Sequence, residues 1–226
     1  MNLAPLIYKH FTPFFREHGF TKKGSTYYKI DNDIAFCITF EFPSCARAWC
    51  HILPLYMPTE FVHLSHGNII NNFYRDVCDT LSKYDDVSDS QIDMWAENVI
   101  AIFESDVFLF FDSISTPQKL LKYCEAPVHM RNKYLPYTDG TDMLRLQAYT
   151  ALYLGEKRTA KKLIEDFRKT VLQNKHITEK LVNQYVAEAD EMKKMLSVSS
   201  AERDVLFSKI CEKSFETCFK PKKKTT

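Results

Sequence analysis

The sequence predicts an α+β fold: an N-terminal helix on a three- or four-stranded antiparallel sheet, followed by an all-helical C-terminal half. Three observations lead there. Residues Ile34–Phe42 alternate, with Ile34, Phe36, Ile38, Phe40 and Phe42 on one face and Ala35, Cys37, Thr39 and Glu41 on the other. That is the period of two of a strand. The stretch from Gly19 to Ile30 joins the end of a helical pattern, through a short basic turn, to an aromatic strand. From about Glu60 onward only helical patterns recur. The 226 residues include five Gly, where average usage would give roughly 16.

The elements follow in order. Leu3–His18 reads as a helix, because Leu3, Ile7, Phe11, Phe14 and Phe15 fall near helical spacing and Gly19 suits the position past its end. Pro13 lies inside it, which predicts a kink or break near Thr12. Ser25–Ile30 is the first strand, Asp31-Asn32-Asp33 a turn, Ile34–Phe42 the second strand and Ala46–Tyr56 the third, ending or bulging at Pro54. Short connections make these an antiparallel meander, with the first helix over the Ile34/Phe36/Ile38 face. Helices are expected at Asn68–Lys83 and, after a polar loop, at Ser90–Glu104. Ser105 or Asp106 would cap a short turn through Phe111. Thr116-Pro117 opens another helix.

Asn132–Asp139 reads as the boundary, dividing an α+β domain (1–135) from a helical extension (136–219) and a basic, disordered tail (220–226). Within the extension, Asp142–Leu154 and Lys157–Gln173 form a hairpin closed at Gly155, a tetratricopeptide-like pair with no second copy. Thr178–Val198 and Ala201–Phe219 complete it, the latter with Ser199 and Glu202 at capping-box spacing.

Composition narrows the setting. Residues 1–20 lack the basic start, apolar block and cleavage site of a secretory signal. No apolar run approaches the roughly 18 residues of a membrane span. Seven Cys is an odd number without a regular framework, as expected of reduced, buried thiols in a cytoplasmic protein. The net charge is +1 but unevenly spread: residues 61–113 hold ten Asp/Glu against Arg75 and Lys83, and residues 114–226 hold 22 Lys/Arg against 14 Asp/Glu. Such asymmetry steers charged partners.

Chemistry-bearing motifs are sparse. The phosphate loops G-x-G-x-x-G and G-x-x-x-x-G-K-S/T are absent, as are the G-x-S-x-G elbow and H-E-x-x-H. Cys45-x4-Cys50-x12-His63-x2-His66 approaches zinc-finger spacing. Against a site there, Pro54 and Pro58 occupy the place of the finger helix, Cys45 and Cys50 face opposite ways on a strand, and the His spacing is one residue short. Whether these four bind metal stays open. Cys50 and His51 are adjacent on a strand and cannot pair as nucleophile and base. Pro43 stands where a restriction-type nuclease would need Lys after Glu41.

The segment His18-Gly19-Phe20-Thr21-Lys22-Lys23-Gly24-Ser25-Thr26-Tyr27-Tyr28 and the strands after it resemble the bacterial domain-of-unknown-function family 4304. So do Phe108-Leu109-Phe110-Phe111-Asp112-Ser113-Ile114-Ser115-Thr116 with Leu120-Leu121, and the helical pair around Leu154-Gly155-Glu156 and Ala160. Glu41-Phe42 departs from the polar Gln expected there. The resemblance implies the same α+β arrangement and a bacterial source. It implies no reaction, cofactor or catalytic residue.

The expectation for function is a non-catalytic protein-binding module, of the immunity or inhibitor kind, whose acidic block masks a basic partner. Its candidate residues are Asp85, Asp86, Asp89 and Asp93. Arg47, Trp49 and His51 share one strand face and define two alternatives. One is an enzyme using His51, Arg47 and Glu41. The other is a single-stranded nucleic-acid binder, with Lys22, Lys23, Lys29, Tyr27 and Tyr28 nearby. No cofactor, catalytic residue or membrane partner is implied, and partner identity and oligomeric state are left open.

Overall fold

The computed structural model describes residues 3–41, 47–58, 69–72, 88–127 and 140–220. They fall into two compact units, one holding the described residues of Met1–Leu53 and Val62–Ser115, the other those of Pro54–Phe61, Thr116–Arg131 and Pro136–Thr226. Helix 117–125 therefore belongs to the second unit.

In the first unit, helix α1 (Leu3–Glu17) buries Ile7, Phe11, Phe14 and Phe15 on one stripe, the spacing of an amphipathic helix. The helix continues through Pro13, so of the expected kink or break the break does not occur. Pro13 faces outward, and the buried aromatics on either side hold the helix down across the missing hydrogen bond. Gly19, at φ +80°, ends α1. Its N–H donates to Arg16 O at 3.0 Å and that of Phe20 to Phe15 O at 2.8 Å, the two bonds of a Schellman cap. The accompanying apolar contact is the Phe15–Phe20 ring pair, 5.5 Å between centroids.

The sheet runs β1 (Thr21–Lys23), β2 (Thr26–Asp31), β3 (Ile34–Glu41), β4 (Arg47–Pro54), β5 (Ile69–Asn72), in that spatial order. Two short edge strands thus extend the expected antiparallel meander. Asn32 and Asp33, at φ 48° and 59°, make the β2–β3 turn a two-residue type I′ hairpin, matched to strand twist. Every residue of β3 from Ile34 to Phe40 is buried, so both faces of that strand are covered. Phe40 packs on Phe11, 4.9 Å between centroids. The Thr26 and Thr39 hydroxyls, on paired residues, meet at 2.7 Å.

The helix expected over Asn68–Lys83 is corrected at its start: Ile69–Asn72 pairs with β4, Ile70 opposite His51. Two adjacent β-branched residues complete a ladder there, and tertiary pairing overrides local propensity. Residues 73–83 lie outside the described residues, as does the expected boundary loop Asn132–Asp139.

Helix α2 (Asp89–Ile102) starts at a Ser88/Gln91 capping box. The cap expected at Ser105 or Asp106 is absent. The chain continues through a π-helical turn, Phe103–Val107, straight into α3 (Phe108–Ser113). Phe108 N–H bonds to Phe103 O, a wider turn that takes up one extra residue and keeps Phe103, Val107, Phe110 and Phe111 buried.

The second unit contains α4 (Pro117–Glu125), capped by Thr116, then α5 (Gly140–Leu154), α6 (Lys157–Gln173), α7 (Glu179–Ser197) and α8 (Ser200–Phe219). Helix α5 is central, buried from Met143 through Leu152 except at Leu144. Gly155, at φ +76°, closes the α5–α6 hairpin with a second Schellman pair, and the Ser199/Glu202 capping box opens α8. No helix among the described residues is long and apolar enough to cross a membrane.

Candidate functional site

A partly enclosed cavity with aromatic and polar lining lies within the first unit, between the β2–β3 hairpin and α3. Its volume is about 160 Å³. Phe20, Phe36, Phe108 and Phe111 line it, with His18, Lys29, Asp31, Asp112 and Ser115.

Local structure explains each placement. The Schellman cap reverses the chain so that His18 and Phe20 both reach the cavity. The His18 ring lies between Phe14 and Phe108, at 4.5 and 4.9 Å. Its Nδ1–H donates to Phe14 O at 2.9 Å, and Nε2 faces Glu104 Oε1 at 3.9 Å. The I′ turn carries Asp31 to the rim. Asn32 Nδ2 donates to Asp31 Oδ1 at 2.9 Å and to Ser115 O at 3.0 Å, tying the hairpin to the end of α3. The π-turn sets the phase of α3, so that Phe108 and Phe111 line the cavity while Leu109 stays exposed.

A second feature adjoins the cavity. From Asp89 to Ser113 the helical run carries six carboxylates and no Lys or Arg. Met94 and Leu109 stand out from it at 60% and 62% exposure. Asp93 faces His10 Nε2 at 3.2 Å, so α1 contributes one imidazole beside this run and His18, just past its end, the other.

The residues predicted from sequence are distributed differently. Asp89 is exposed in the first turn of α2, and Asp93 is exposed but engaged by His10. Asp85 and Asp86 lie outside the described residues. Arg47 and Trp49 occupy β4, Trp49 opposite Asn72. His51 is buried, at 2% exposure, and Glu41 is half-buried at the end of β3. Cys50 is buried, and burial pushes its thiol well above the ordinary range, the opposite of what a thiolate nucleophile needs. Cys45, His63 and His66 lie outside the described residues. Among the described residues, no group of three or more His, Cys, Asp or Glu side chains gathers to hold a metal ion.

The cavity residues were not singled out as a site from sequence. The stretches 18–28 and 108–116 supply six of the nine lining residues, but their spacing in the sequence gives no sign that they meet. No family model, curated protein or solved structure matches the chain.

Proposed function

We propose that this chain is a non-catalytic protein-binding module of the immunity or inhibitor kind, docking a basic partner on the α2–α3 face. The observation that carries the reading is the run Asp89–Ser113, six carboxylates without a Lys or Arg, from which Met94 and Leu109 project. Protein interfaces combine apolar anchors with a polar rim. A one-signed rim speeds encounter with an oppositely charged partner and rejects like-charged ones. Asp89 and Asp93 belong to that rim.

The test is capture from lysate of the source organism after nuclease treatment, using the native chain beside M94K/L109K. Both substitutions are on exposed side chains and leave the core intact. The expected result is one stoichiometric protein held by the native chain and lost by the variant. With that partner purified, D89N/D93N slows association and flattens its salt dependence. Identical capture by both chains, or retention of nucleic acid alone, refutes the reading.

A further inference from the structure

We propose that the cavity between the β2–β3 hairpin and α3 is a binding site for a small cation carrying one aromatic ring, of the arylalkylammonium type. This site shares Asp112 with the acidic run but not Met94 or Leu109, and its ligand is independent of any partner held by those two side chains.

Size comes first. A cavity of about 160 Å³ is far below the 300–1,000 Å³ of drug-sized pockets and close to the roughly 150 Å³ that encloses a single benzene ring. Composition comes next. Phe20, Phe36, Phe108 and Phe111 offer apolar ring surface, which favours an aromatic guest in edge-to-face or offset contact. Their π faces also attract a cation.

The rim decides the charge. Asp31 and Asp112 outnumber Lys29, so the mouth favours an ammonium and disfavours a carboxylate. The hairpin is anchored there by the Asn32–Ser115 bond, which keeps Asp31 beside the end of α3 without a ligand. A ring with an ammonium one or two carbons away satisfies both parts together. Free arylalkylamines and the aromatic N-terminal residue of a peptide present this same chemistry.

The experiment is ligand-observed NMR titration of the full chain with 2-phenylethylamine, benzyl alcohol and 3-phenylpropionate. Saturable binding is expected for the amine, about tenfold tighter than for the carboxylate, given the modest value of exposed ion pairs and cation–π contacts. D31N/D112N should bring amine and carboxylate to near parity while benzyl alcohol binding persists. S115F, which fills the cavity from its edge, should abolish binding of all three with the thermal melt unchanged. The amide of Phe-Ala separates the two sources: tighter binding than the amine indicates a peptide end, weaker binding a free amine. Absence of saturable amine binding to about 10 mM, where an interaction weaker than roughly 3 kcal/mol would lie, overturns the proposal. So does tighter binding of the carboxylate, or an unchanged ratio in D31N/D112N.

Discussion

Replacing Glu188 by Ala should be the most damaging polar substitution in the helical unit. Arg145 lies on the central helix α5 with its side chain 9% exposed, against a Glu188 carboxylate at 17%. Arg145 Nε is 2.9 Å from both carboxylate oxygens and Nη2 is 2.7 Å from Oε1, while Tyr149 OH donates to Oε1 at 2.8 Å. Burial works against the guanidinium charge. The adjacent carboxylate outweighs it, so the Arg145 pKa sits above its ordinary value. Removing the carboxylate leaves a buried cation with, among the described residues, a weak hydrogen bond to Pro58 O at 3.5 Å and the rings of Tyr149 and Tyr185 about 6 Å away, and it takes away the acceptor of the Tyr149 hydroxyl. Breaking one side of such a pair costs about 3–5 kcal/mol, and the lost tyrosine bond about 1 kcal/mol within that. The assay is urea unfolding of the native chain, E188A, E188M, R145M and R145M/E188M, the last three closing the cycle. An isosteric apolar pair offsets most of the loss, so the double variant should be more stable than E188A. The reasoning is refuted if E188A loses less than about 1 kcal/mol, or if the double-mutant cycle shows no coupling.

Gly155→Ala should destabilise by about 1–2 kcal/mol, because the position needs φ +76° and Ala resists that region. A Cβ there would also lie 2.6 Å from Arg203 Nη1, so G155A/R203A should recover part of the loss in the same denaturation assay. Thr39→Val strands the buried Thr26 hydroxyl and should cost about 1–2 kcal/mol, whereas T26V/T39V should cost less than the single change; equal losses would show that the 2.7 Å hydroxyl contact is incidental. Burial, with Tyr27 nearby, raises the Tyr8 phenol to about 12. Its contribution is complete below pH 10 and is lost as pH rises from 10 through about 12. Two pKa units would amount to about 2.7 kcal/mol, which the partial exposure of Tyr8 reduces to roughly 1 kcal/mol. Tyr8→Phe should therefore lose about that much less stability than the native chain over the interval, and identical losses would refute the assignment.

Much of this architecture was legible without a structure because its signals are local. The alternation over Ile34–Phe42 marked β3, Gly19 and Gly155 marked helix ends that need a left-handed residue, and Ser199 with Glu202 marked a cap whose partners are three positions apart. What the sequence alone determined is therefore the order and kind of most elements. Tertiary structure decided the rest. Ile69–Asn72 became a strand because β4 offered an edge, although its own pattern continued as a helix. The π-turn was invisible because it arises from keeping Phe103, Val107 and Phe110 buried at once. His51 is a core residue, whereas strand alternation alone placed it on a face open to chemistry. The cavity depends on Asn32 reaching Ser115 across 83 positions, and the buried ion pair on Arg145 meeting Glu188 across 43. A periodicity or a cap is written within a few neighbouring residues. A site is written by chain closure, which brings together residues whose spacing along the sequence carries no trace of their spacing in the fold.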